Sequence, residues 1–131
     1  MLAQQPSRHA VGHVRRVLVV EDQPEMLSYY AWVLQSVATV VTARSIDEAV
    51  VVLGEFDVVV SDLDLGHASC DGIWFLEFVR RHWPRTRCIL ATGSSEELVY
   101  QRIRSVSLPT VDVVLFKPFP GKALLDAVTA A

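Results

Sequence analysis

The sequence predicts a parallel α/β domain in which five strands alternate with five helices. Two observations carry that reading. Short apolar runs, Val17-Leu18-Val19-Val20, Val58-Val59-Val60 and Cys88-Ile89-Leu90-Ala91, stop abruptly at polar residues, as strands covered on both faces do. Between the runs, apolar residues recur at helical spacing, and prolines mark where helices start and stop.

Residues 1–15 are polar, contain Pro6 and Gly12 and show no period, so they read as a loose arm before a single domain spanning 16–131. The first strand, 17–20, ends at Glu21-Asp22, and Pro24 suits the first turn of a helix. Leu27, Tyr30, Ala31 and Leu34 repeat at i, i+3, i+4, i+7 and predict that helix over about 24–36. A second strand follows at 39–42, then Ser45 and Glu48 form a capping box that opens a helix to about residue 53. The third strand delivers Asp62 to its end, and 65–70 is a loop without pattern. Gly72 introduces helix three, with Phe75, Leu76, Val79 and Trp83 on one face and Pro84 as its stop. Strand four, 88–91, ends at Thr92-Gly93; Ser94-Ser95-Glu96-Glu97 then begins a helix with acids at its positive end. That helix carries Val99, Ile103 and Val106, and Pro109 breaks the chain before strand five at 111–116. Lys117-Pro118 closes the strand, and a last helix over about 120–130 presents Leu124, Leu125 and Val128.

For five parallel strands of this size the flavodoxin-like, doubly wound order 2-1-3-4-5 is the common solution, with its crevice between strands one and three. Composition narrows the function. Of 131 residues 51% are hydrophobic and 21% charged, which is globular rather than disordered. A net charge of −3 offers no basic patch, so direct nucleic-acid binding is not expected. No stretch reaches the length of a membrane span, and the N-terminus lacks the apolar segment of a secretory signal. The two cysteines, Cys70 and Cys88, lack metal-ligand spacing and read as reduced thiols of a cytoplasmic protein.

Four of the five strands end in a residue suited to charge or phosphate: Glu21 and Asp22, Asp62, Thr92, and Lys117. Singly, each has an ordinary explanation, an acidic pair as a helix cap or Lys-Pro as a loop. Together they converge on one predicted crevice. Three carboxylates there repel unless offset, and a hard divalent cation such as Mg²⁺, bound through few carboxylates and several waters, offsets them. One carboxylate would then serve as a nucleophile for phosphoryl chemistry. The developing charge would need the metal, a cation such as Lys117 and a hydroxyl such as Thr92.

With these motifs, Val-Leu-Val-Val-Glu21-Asp22, the strand ending at Asp62, Asp71-Gly72, Ala91-Thr92-Gly93 and Phe116-Lys117-Pro118-Phe119, the sequence resembles the response-regulator receiver domains of two-component signalling over roughly residues 16–130. The resemblance implies a phosphorylation-controlled signalling domain rather than an enzyme. Asp62 would accept a phosphoryl group from the phosphohistidine of a partner histidine kinase or phosphotransfer protein. Asp22 and Asp62 would ligate Mg²⁺, Glu21 would act through a water, and the backbone carbonyl of Asp64 would be a further ligand. Lys117 would pair with the acceptor carboxylate and Thr92 would move onto the phosphoryl group, biasing an inactive-to-active equilibrium. A cis Lys117-Pro118 bond is also implied. Output is expected from outside this chain, and a second copy is a candidate partner.

Three features depart from the family pattern. The aromatic that usually partners the threonine, three residues before the lysine, is here Val114, which cannot swing between buried and exposed states. The loop from Leu65 to Cys70 is long and holds His67, expected to be solvent-exposed. Asp64 adds a carboxylate two residues after the acceptor. Two alternatives follow. One is a pseudo-receiver, an interaction module independent of phosphorylation, supported by Val114 alone. The other is a phosphatase: Asp62-Leu63-Asp64 resembles the nucleophile and acid of haloacid dehalogenase-type enzymes. Gly66 then stands where Thr or Val is usual, and the chain lacks room for a cap domain. Trp74 and Phe78 lie off the main stripe of helix three and are expected to be partly buried.

Overall fold

The computed structural model describes residues 14–130. The strands are β1 (Arg15–Val20), β2 (Ala38–Ala43), β3 (Val58–Ser61), β4 (Arg87–Thr92) and β5 (Val113–Phe116). The helices are α1 (Pro24–Leu34), α2 (Ile46–Val52), α3 (Gly72–His82), α4 (Glu96–Arg104) and α5 (Gly121–Thr129). All pairings are parallel and the order is β2-β1-β3-β4-β5, the flavodoxin-like, doubly wound topology expected. Among the described residues no helix is long and apolar enough to cross a membrane.

The apolar runs hide a strict alternation. Val17, Val19, Val58, Val60, Ile89 and Ala91 face α1 and α5, packing on Leu27, Tyr30, Leu34, Leu124 and Val128. Leu18, Val20, Val59, Cys88 and Leu90 face the opposite side and pack on residues of α2, α3 and α4. With period 2 along every strand, both faces must be apolar when helices cover both.

Several boundaries differ from the sequence expectations for local reasons. The expected loose arm, 1–15, lies mostly outside the described residues; Arg15 already pairs with Ala38 in β1 and donates from Nη2 to the Thr129 carbonyl at 3.2 Å. Asp57 accepts the Arg16 N–H at 2.8 Å beside the start of β3. Helix α1 ends at Leu34, two residues early, and the Val37 N–H bonds back to the Leu34 carbonyl. Strand β5 starts at Val113 because Asp112 is drawn sideways: its Oδ2 accepts the Cys88 N–H at 2.7 Å and pairs with Arg80. Ser45 caps α2 as predicted by accepting the Glu48 N–H, whereas the Glu48 carboxylate reaches one residue further back, to the Arg44 N–H.

Candidate functional site

The same alternation that builds the core aims the candidate site. One step beyond Val19, Val60 and Leu115 on each strand stand Glu21, Asp62 and Lys117 respectively, all carried toward the α1/α5 side. Thr92 follows Leu90 instead and belongs to the opposite face, from which α4 departs. The site therefore straddles the carboxyl edge of the sheet at the switch point between β1 and β3.

Lys117 organises it. Its Nζ donates to Glu21 Oε1 at 2.7 Å and to Asp62 Oδ2 at 2.9 Å. Glu21 is only 1% exposed; its second oxygen accepts the Gln23 N–H at 3.1 Å. Asp62 is 9% exposed, and its Oδ1 accepts the Leu63 N–H at 2.6 Å. Burial pushes the Glu21 carboxyl above its ordinary pKa, against the pull of Lys117 and the Gln23 N–H. Burial alone would depress the Lys117 ammonium, but its hydrogen bonds to Glu21 and Asp62 outweigh that and hold it above the usual lysine value.

Asp22 stays exposed at the mouth. Oxygens of Glu21, Asp22 and Asp62 lie within 4.8 Å of one another, an all-oxygen donor set that suits a hard divalent cation. Thr92 is fully buried; its Oγ1 accepts the Ser94 N–H at 3.2 Å, which leaves its own proton to donate elsewhere. The structure thus joins Glu21, Asp22, Asp62 and Lys117, and sets Thr92 one strand away. The Asp64 carboxylate is not part of the group: it is exposed and accepts the Gly66 N–H at 3.1 Å, a turn in which Gly66 takes φ +70°. The Lys117-Pro118 bond is cis, as the resemblance implied.

Other contacts were not visible in the sequence. Asp71 caps α3 by accepting the Trp74 N–H at 2.8 Å, and Arg102 of α4 grips the same carboxylate through Nε at 2.7 Å and Nη2 at 3.1 Å. This fork ties α4 to the segment that follows Asp62; the 31-residue separation leaves no local signal for it. Arg102→Ala should cost about 1 kcal/mol, the upper end for a partly exposed pair, measured by urea denaturation. His67, expected in solvent, is partly buried and holds its loop together. Its Nδ1 accepts the Ser69 and Cys70 N–H groups at 3.0 and 3.2 Å, and its Nε2 lies 3.7 Å from Asp47 Oδ1. Phe78 is partly buried as expected, whereas Trp74, stacked on it at 5.9 Å, is exposed. Val114 is partly buried and packs against the cluster beneath α2–α4.

Comparison with known proteins agrees with this geometry. The family model of the response regulator receiver domain matches residues 17–129. Similar solved structures include the BeF3-activated DrrB receiver domain (26% identity, 88% of this chain and 94% of that one, TM-score 0.77); DrrB is a Thermotoga maritima protein. Chemotaxis protein CheY4 of Vibrio cholerae is similar at 25% identity over 88% of this chain and 96% of that one, TM-score 0.74. A CheY-like receiver domain protein of Methanospirillum hungatei shares the fold at 21% identity, covering 88% and 90%, TM-score 0.74. A search of curated protein sequences gives no match. With the sheet order, the strand-end acids and lysine, and a family match over nearly the whole described domain, the chain belongs to the response regulator receiver domain family.

Proposed function

We propose that this receiver domain works by reversible phosphorylation of Asp62. The observation that carries the reading is the double engagement of Lys117: one ammonium pairs with the acceptor Asp62 and the buried Glu21 at once. Such a group is positioned to stay with Asp62 as charge builds on an incoming phosphoryl group.

In this reading a carboxylate oxygen of Asp62 attacks the phosphorus of a phosphohistidine, the P–N bond breaks, and the histidine leaves with the electron pair. The donor is a histidine kinase or phosphotransfer protein. Asp22 and Asp62 would hold Mg²⁺, with Glu21 and the Asp64 backbone carbonyl supporting it. The cation supplies charge neutralisation for the phosphoryl oxygens. Lys117 passes from the carboxylates to a phosphoryl oxygen, and Thr92 donates its free hydroxyl proton to another. That last movement drags residues 93–95, and with them the start of α4, changing the surface that a partner reads. The domain acts as a switch in the cytoplasm rather than as a turnover enzyme, without contacting nucleic acid itself; a second copy is one candidate reader.

The experiment is mass spectrometry after incubation with acetyl phosphate and Mg²⁺. One phosphoryl group per chain is expected, absent from Asp62→Asn and absent without the metal. If wild type gains none, the pseudo-receiver reading, which Val114 favours, takes its place.

A further inference from the structure

One buried polar group near the site has no role in the chemistry above. Tyr30 of α1 is 1% exposed, and its hydroxyl has no hydrogen-bond partner among the described residues. A buried hydroxyl left unpaired is costly. Its ring lies in the core under β1, β3 and β4 and stacks on Phe119 at 5.7 Å with a 15° tilt. Phenylalanine would serve that packing equally well, so packing does not explain the oxygen.

Its location does. Phe119 follows Lys117 by two residues, across the cis Lys117-Pro118 bond. Strand alternation carries Glu21, Asp62 and Lys117 toward the α1/α5 side, the side on which Tyr30 packs. Burial pushes the Tyr30 phenol up to about 12, and the charges that act on it through space include Lys117, Glu21 and Asp62. An ammonium has three donors; Lys117 uses one on Glu21 and one on Asp62. A phenol both accepts and donates, so it can stand between an ammonium and a carboxylate.

We propose that Tyr30 is a positioning residue for Lys117: its hydroxyl, on the same side of the sheet as the acid pocket, accepts a hydrogen bond from the ammonium when the lysine leaves the carboxylates for the phosphoryl group. Lys117 then keeps a protein anchor throughout the switch, and the phenol gains the partner that the resting state denies it. The inference rests on the phosphoacceptor reading of Asp62.

The test is Tyr30→Phe in the full chain, with BeF3⁻ and Mg²⁺ as the probe. Without metal, the thermal midpoint should stay equal to wild type or rise, because a costly group has gone. BeF3⁻ affinity at saturating Mg²⁺, followed by tryptophan fluorescence, should fall about fivefold. In wild type, the ¹³Cζ resonance of Tyr30 should shift when BeF3⁻ and Mg²⁺ are added together. Equal affinity in the variant with an unmoved wild-type resonance overturns the inference and leaves the phosphoacceptor reading standing. A wild type that does not bind BeF3⁻ overturns both. If the variant fails to fold, the wild-type resonance alone decides.

Discussion

Lys117→Met lowers the thermal midpoint of the metal-free domain by about 12 °C at neutral pH, and Mg²⁺ restores most of it. The lysine is the hydrogen-bonded cation between Glu21, 1% exposed, and Asp62, 9% exposed. Removing one member of a buried ion pair leaves uncompensated charge and costs about 3 kcal/mol. In a domain of this length that corresponds to roughly 4 °C per kcal/mol. The pH dependence has a definite sign. The Glu21 pKa is raised in the folded state, so its contribution favours folding below about 4.5 and is lost as pH rises through the folded value. The destabilisation of the variant should therefore shrink as pH falls through the raised Glu21 value. Mg²⁺ should act in the same direction, because Glu21, Asp22 and Asp62 present their oxygens within 4.8 Å of one another. A variant as stable as wild type at neutral pH would show that the two acids are solvated well enough to need no lysine.

Much of this arrangement is legible in the sequence because each site residue interrupts a pattern. Glu21, Asp62 and Thr92 each stand at the end of an apolar run, and Lys117 precedes a proline. A strand that ends in charge marks the edge of a parallel sheet, so the fold and the site are read from the same residues. What escaped belongs to two kinds. Side-chain ties between distant elements, such as Asp71 to Arg102, leave no spacing to detect. Residues with a double nature are read by their larger part: Tyr30 fits the apolar stripe of α1 at the right interval, and its hydroxyl adds nothing to periodicity. His67 failed in the opposite sense, as a polar residue assigned to solvent in a loop whose backbone it holds. The start of strand five was misplaced because Val111 continues the apolar pattern, while Asp112 bonds sideways to the start of β4.

Gly72→Ala tests the tightest joint in the molecule. A Cβ at this position would lie 1.7 Å from the Asp62 carbonyl oxygen, 2.7 Å from its carbon and 2.9 Å from Ser61 Oγ. The backbone there is not left-handed, so the requirement is for space rather than for a glycine conformation. The first two obstacles are backbone and cannot step aside by changing rotamer. If α3 retreats, it loses the Gly72 N–H bond to the Leu63 carbonyl, 2.7 Å, and strains the cap at Asp71 and the fork to Arg102. If the Asp62 peptide turns instead, the acceptor carboxylate leaves Lys117. Both routes cost about 3 kcal/mol, at the severe end for overpacking, and both should lower phosphoryl incorporation from acetyl phosphate at temperatures where the variant remains folded. Gly54→Ala is the control, since a Cβ there meets nothing within 4 Å and its backbone is likewise not left-handed. It should be neutral or slightly stabilising through the unfolded state. Equal urea midpoints for the two alanine variants would mean that α3 is free to slide on the Asp62 peptide. In that case the Asp71–Arg102 fork could not hold α4 in a fixed relation to the site.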